Sequence, residues 1–307
     1  MPETIPPEPR KRLRAALLPE LCTMPAILPR RFRASRRVLP GFTLSVGISV
    51  LFAGLIILLP LTGLLWHLAQ LSPADYLRVM GTERVLTALR VTVTAAALAT
   101  VVNGVFGLIL AWVLTRYRFF GRGVMDALVD LPFALPTAVA GIALVALYDK
   151  SGWIGGVLDR MGLQVAYTWW GIVIAMIFTS IPFAVRAIQP AIEELDPAEE
   201  AAALTLGAGP LQRFFKVMLR PLLPTILTGV GLSFVRSLGE FGAVIFIAGN
   251  LPYKTEIASL LILIRLDEFD YPAASAVAGT LLALSLVILI AINIAQNRLQ
   301  SYLRTEG

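Results

Sequence analysis

Long apolar runs free of acid and base alternate along the chain with short polar stretches. No Asp, Glu, Lys or Arg occurs in 38–74, 91–115, 131–148, 161–185 or 271–297, and a sixth window, 221–253, is interrupted only by Arg236 and Glu240. A helix needs about 20 apolar residues to cross the hydrocarbon core of a bilayer. The windows predict an all-α polytopic membrane protein of about six transmembrane helices, near 43–67, 89–115, 126–148, 168–189, 222–248 and 272–296. Gly104, Gly107, Pro132, Pro136, Gly141 and Pro182 fall inside them, where small residues permit close helix contacts and prolines permit kinks.

Composition agrees with the pattern: 57% of the 307 residues are hydrophobic and 15% charged, against about 25% charged in soluble domains. The net charge of +6 is concentrated rather than spread, since nine of the 26 Lys and Arg residues precede residue 38 in a Pro-rich stretch. That placement reads as a basic tail beside lipid, with no nucleic acid as partner. The predicted organisation is a cytoplasmic tail at 1–40, a transmembrane domain at 41–300 with its longest cytoplasmic loop at 190–220, and a short tail at 301–307. The first apolar run begins near residue 41 and is too long for the apolar region of a secretory signal, so none is expected. With the N-terminus inside, 18 basic residues fall on the cytoplasmic side and seven on the other. The bias of Lys and Arg toward the cytoplasm then places both termini there.

The 190–220 loop departs from its greasy surroundings. Asp196, Pro197 and Glu199 occupy the N-cap, first and third positions of a predicted helix, a capping-box arrangement. Ala201, Ala202, Ala203 and Leu204 favour helix, and Gly207 stands where a terminating glycine is expected. Ten helical residues rise only about 15 Å, half a bilayer, so this segment cannot span. "LQRFFKVMLR", residues 211–220, follows as a second short helix, basic on one side and aromatic on the other. Helical loops of this sort either merely connect spans or present a docking surface.

The stretch "EEAAALTLGAGPLQRFFKVMLRPLLP", residues 199–224, resembles the EAA loop of bacterial ABC importer permeases. The resemblance implies a coupling helix that inserts into a groove of an ATPase subunit. Its contact residues would come from Glu199, Glu200, Ala201, Ala202, Ala203, Gly207 and Ala208. Two departures are visible. Four residues separate Glu200-Ala201-Ala202 from Gly207 where the family has three, so Ala201 takes the glutamate position if Gly207 sets the register. Arg220 also follows Leu219, moving the usual Leu-Pro end to Pro221.

Residues 131–155, 181–190 and 239–279 resemble the sulfate/thiosulfate ABC permease family, T subunit, and the likeness runs over 39–300. It implies the MetI-like permease fold and a bacterial inner-membrane location. It also implies a second, similar permease subunit as heterodimer partner, a dimer of ATP-binding subunits and a periplasmic sulfate-binding protein. No cofactor is expected on this chain; ATP and magnesium belong to the partner ATPase. A molybdate or tungstate permease is the neighbouring alternative, and a secondary anion transporter a more distant one.

Polar residues within the spans supply the candidates for an anion path or gate: Arg236, Glu240, Ser233 and Ser237. Arg236 and Glu240 are four apart, hence on one helical face, either as a structural pair or beside a pathway. Asp130 and Arg186 lie at similar depth and are expected to pair between helices. The 249–270 loop holds Lys254, Glu256, Arg265, Asp267, Glu268 and Asp270 around an eight-residue apolar run, as an extracytoplasmic gate, a docking element or a re-entrant connector. No phosphate-binding G-x-x-x-x-G-K-[ST] loop occurs, so the chain is not itself an ATPase. The lone His67 and the lone Cys22 build neither metal cluster nor intrachain disulfide, which leaves a non-catalytic membrane subunit. A secondary transporter would be expected to show broken helices in paired repeats and a midplane charge relay, and the sequence shows neither clearly.

Overall fold

The computed structural model describes residues 42–306. Cys22 and the basic tail lie outside them. The chain divides into two compact units, one ending at Leu59 and the other beginning at Pro60. α1 (Phe42–Ala53) and a π-helical turn (Gly54–Leu58) belong to the first.

The second unit begins within α2 (Leu59–Ala69) and continues with α3 (Pro73–Met80), the latter capped by the Ser72 hydroxyl, which accepts from the Asp75 N–H at 3.1 Å. Next come α4 (Glu83–Arg116), α5 (Arg122–Ala134), α6 (Thr137–Tyr148), α7 (Gly155–Arg160) and α8 (Trp169–Glu193). α9 (Pro197–Thr205) is followed by α10, one apolar helix over Pro210–Leu238 with a π-helical stretch at Arg213–Met218. α11 (Val244–Ile247), α12 (Ala258–Asp267) and α13 (Tyr271–Glu306) complete it. All regular structure among the described residues is helical.

Among the described residues, five helices are long and apolar enough to cross a membrane: Leu44–Ala69, Glu83–Arg116, Trp169–Glu193, Pro210–Leu238 and Tyr271–Leu299. The expected third span is corrected. It is not continuous over 126–148 but consists of α5 and α6, bent by 117° at residues 135–136. Pro136 is the cause. It forces Leu135 out of the helical region, to φ −85°, ψ 133°, and brings no N–H to continue the ladder. The expected fifth span is corrected as well: it stops at Leu238 instead of running to 248, and a non-helical turn over 239–243 leads into α11. "LQRFFKVMLR" is not a separate helix either, because its apolar side continues without a break into the long face of α10.

α4, α8 and α10 form the centre. Ala95, Ala96 and Ala99 of α4 pack on Ile172, Ala175 and Met176 of α8, and a second cluster joins Ala111, Leu114, Val185, Ile188 and Leu222. Small residues set the spacing: a Cβ on Gly107 would stand 2.9 Å from that of Ala184, and one on Gly229 3.1 Å from the Ala184 carbonyl. Lipid is as apolar as a leucine side chain, so such close van der Waals contact, with interhelical hydrogen bonds, takes the place of hydrophobic drive.

Candidate coupling and translocation site

α9 stands between α8 and α10, closed at both ends by its own sequence. The Asp196 carboxylate accepts the Ala198 N–H at 2.8 Å, and Pro197 occupies the first helical position, where no donor is needed. The return arm expected from Glu199 is absent from the hydrogen bonds of the described residues, so the capping box is only half built. At the other end Gly207 has φ +79°, its N–H reaches the Leu204 carbonyl at 3.0 Å, and the Ala208 N–H reaches that of Ala203 at 3.0 Å. This pair of bonds is a Schellman ending, open to glycine because a Cβ is strained at that φ.

The two sides of α9 differ. Glu199, Ala201, Ala202 and Leu204 are exposed, and the exposed apolar surface continues through Leu206, Leu211 and Phe215. Glu200, Ala203 and Ala208 are half-buried on the inner side. Glu200 takes a position the sequence did not reveal, between Arg116 at 3.5 Å and Arg213 at 3.6 Å.

Deeper in the bundle the polar residues converge. Asn103 of α4 donates to the Ser180 hydroxyl at 2.8 Å and to that of Ser233 at 3.1 Å, while the Ser233 and Ser237 hydroxyls lie 3.1 and 3.0 Å from Ser180. All four residues are buried. Ser233 and Ser237 therefore join α4, α8 and α10 in this conformation rather than facing an open path. Asn103 was missed in the sequence, although an amide in the middle of an apolar run is the usual signal of such a junction.

Arg236 and Glu240 do pair, at 2.6 Å, but Glu240 lies beyond the end of the helix. The contact is ionic rather than an aligned hydrogen bond. The other Glu240 oxygen accepts the Ala243 N–H at 3.0 Å, and its backbone carbonyl accepts the Ser259 hydroxyl at 3.0 Å. Glu240 is fully buried and holds the 239–243 turn together; Arg236 is partly exposed. That turn presses on the other helix break. A Cβ on Gly141 would fall 2.5 Å from the Ala243 carbonyl oxygen, and Gly242 packs directly on Thr137.

Two ionic clusters brace the ends. Arg186 donates to Asp130 and Asp126, the latter at 2.8 Å, tying α5 to α8; the Asp130 pairing was expected, the Asp126 one was not. At the opposite end Arg84 forms a two-pronged contact with buried Glu256, at 2.8 and 2.7 Å. The Ala258 N–H donates to Thr92 at 2.9 Å, and Ile257, Ala258 and Leu261 are buried. The 249–270 segment is thus packed into the bundle, with Asn250 and Tyr253 held at positive φ (53° and 62°).

Residues 103–304 match the model of the family described as binding-protein-dependent transport system inner membrane component. The chain is 58% identical over 265 residues to the sulfate transport system permease protein CysT of Salmonella typhimurium, covering 86% of this chain and 96% of that one. To the protein of the same name from Synechocystis it is 43% identical over 249 residues, covering 81% and 87%. Among solved structures it is similar in fold to a bacterial ABC transporter involved in the import of the acidic polysaccharide alginate. That match has a TM-score of 0.68 at 19% identity, over 84% of this chain and 96% of that one. With the break-bearing helical bundle, the capped loop helix and the family match in agreement, this chain belongs to the inner-membrane permeases of binding-protein-dependent ABC transport systems.

Proposed function

We propose that the chain is the transmembrane permease subunit of an ATP-driven importer of sulfate or thiosulfate. It would receive the anion from a periplasmic sulfate-binding protein, work beside a second, similar permease, and couple to a dimer of ATP-binding subunits. The observation that carries the coupling role is α9, capped at both ends and exposing an apolar face at Ala201, Ala202, Leu204 and Leu206 to a partner. The substrate class rests on the relatives named for sulfate transport, one of which is 58% identical over 86% of this chain.

In the mechanism we infer, closure of the ATPase dimer displaces α9, and the attached α8 and α10 reorient the bundle from inward- to outward-facing. This chain holds no cofactor; ATP and magnesium reside on the partner. Both termini lie in the cytoplasm of a bacterial inner membrane. Arg236 is the candidate for contact with the passing anion, since its side chain is partly exposed while its charge is balanced by Glu240. Anion passage favours such a compensated cation, because a lone buried charge would hold a dianion too tightly to release it.

The test is uptake of labelled sulfate into vesicles bearing the full transporter. Gly207→Trp is expected to abolish ATP-dependent uptake, through both the φ of +79° and the bulk placed on the docking face. Uptake at the native rate would rule the coupling role out. Uptake of molybdate in place of sulfate would shift the assignment to the neighbouring class.

A further inference from the structure

Glu200 is the residue that the register shift moves off the family's glutamate position, and its side chain is half-buried against Arg116 and Arg213. We propose that Glu200 is an internal strut: it ties the coupling helix to two transmembrane helices at once, so that displacement of α9 is delivered to α4 as well as to α10. The proposal rests on the coupling role of α9 set out above.

The geometry is a shared carboxylate. One Glu200 oxygen faces Arg116, the last residue of α4, at 3.5 Å; the other faces Arg213, in the first turns of α10, at 3.6 Å. Among the described residues, no other carboxylate reaches ion-pair distance of either arginine. Both arginines keep a buried Nε without a hydrogen-bond partner. Aromatic contacts hold Arg116 and link α4 to α10. The Arg116 guanidinium lies 5.3 Å from the centre of the Trp112 ring, and Trp112 meets Phe214 edge-on at 5.3 Å.

Connectivity gives the bridge its consequence. α9 is joined through the backbone to α8 and α10, but α4 lies far from it in sequence. A carboxylate between Arg116 and Arg213 makes the three helix ends move as one body. Without it, rotation of α9 can be absorbed at Gly207 and Gly209, the two glycines that connect it to α10. The outward positions Glu199, Ala201 and Ala202 stay available to the ATPase. Partly exposed ion pairs of this length add little to stability, so loss of the strut changes coupling more than folding.

The experiment measures sulfate moved per ATP hydrolysed by the reconstituted transporter, for Glu200→Gln, Arg116→Gln, Arg213→Gln and the triple variant. The expected result is a several-fold fall in this ratio for Glu200→Gln, no further fall in the triple variant, and partial recovery in Glu200→Asp. ATPase subunits are expected to co-purify with Glu200→Gln in native proportion. Independent, multiplying losses, or an unchanged ratio, would overturn the strut. Loss of the ATPase from Glu200→Gln would also overturn it, by making Glu200 a partner contact, and would leave the coupling role of α9 standing. Full uptake by Gly207→Trp strikes the coupling role itself, so the two failures are distinguishable.

Discussion

Arg84 and Glu256 form the most completely enclosed ion pair with two-pronged geometry in the described chain: the Glu256 side chain is 2% exposed and that of Arg84 26%. Such a pair binds strongly in geometry but pays for desolvation, so its net worth is read best from which partner is removed. Arg84→Ala leaves a buried carboxylate without compensation and is expected to cost about 2–4 kcal/mol, less than a fully dry pair because Arg84 reaches the surface. Glu256→Gln keeps an acceptor for the guanidinium and leaves a charge that can turn to water; about 1 kcal/mol is expected. Thermal unfolding of the purified protein in detergent checks the order. Negligible loss from both variants would show that the pair does not hold the 249–270 segment in place, and a larger loss for Glu256→Gln would show that the uncompensated carboxylate is not what sets the cost.

Both helix breaks have local causes, and they meet. Pro136 ends one helix and the 239–243 turn ends another; Gly141 leaves room for the Ala243 backbone, and Gly242 for the Thr137 side chain. Gly141→Ala places a methyl 2.5 Å from the Ala243 carbonyl oxygen, and is expected to destabilise by about 1–3 kcal/mol through forced separation of the breaks. Gly63→Ala, within α2 and with nothing inside 4 Å of the added carbon, is expected to be neutral or to stabilise by up to about 1 kcal/mol. Comparing the two by unfolding temperature separates helix propensity from packing. Discontinuous helices alone are not the mark of a secondary transporter, which needs them in paired repeats with a charge relay; two breaks are present here in an inner-membrane component of a binding-protein-dependent transport system. Such a break reports a need for irregular backbone inside the membrane, not the source of energy.

For the molecule as a whole, the end that carries α9 and the end that carries residues 150–153 are expected on opposite sides of the membrane. Leu206 is 87% exposed and Trp153 89% exposed, and Cys22 is the sole native cysteine. In a Cys22→Ser background, Trp153→Cys is expected to react with a membrane-impermeant maleimide on intact inner membranes presented right side out, and Leu206→Cys only after inversion. The opposite pattern would reverse the proposed orientation and remove α9 from reach of a cytoplasmic ATPase.

Sequence by itself determined the class of fold, the approximate placement of the apolar spans and the capped loop helix at 197–205. The long charge-free windows, the Asp196-Pro197 start and the Gly207 end are local signals, each set by solvation or by backbone conformation within a few residues. It also placed Asp130 opposite Arg186, because charges at equal depth in a membrane seek each other. Only the tertiary structure decided where helices break, because a proline inside an apolar window may kink or end it according to what packs against the gap. It alone placed Asn103 and Ser180 in one buried junction with Ser233 and Ser237, and Glu200 between arginines of two spans. These contacts join residues 13 to 130 positions apart, and no periodicity within one helix carries information about the side chain it will meet on another.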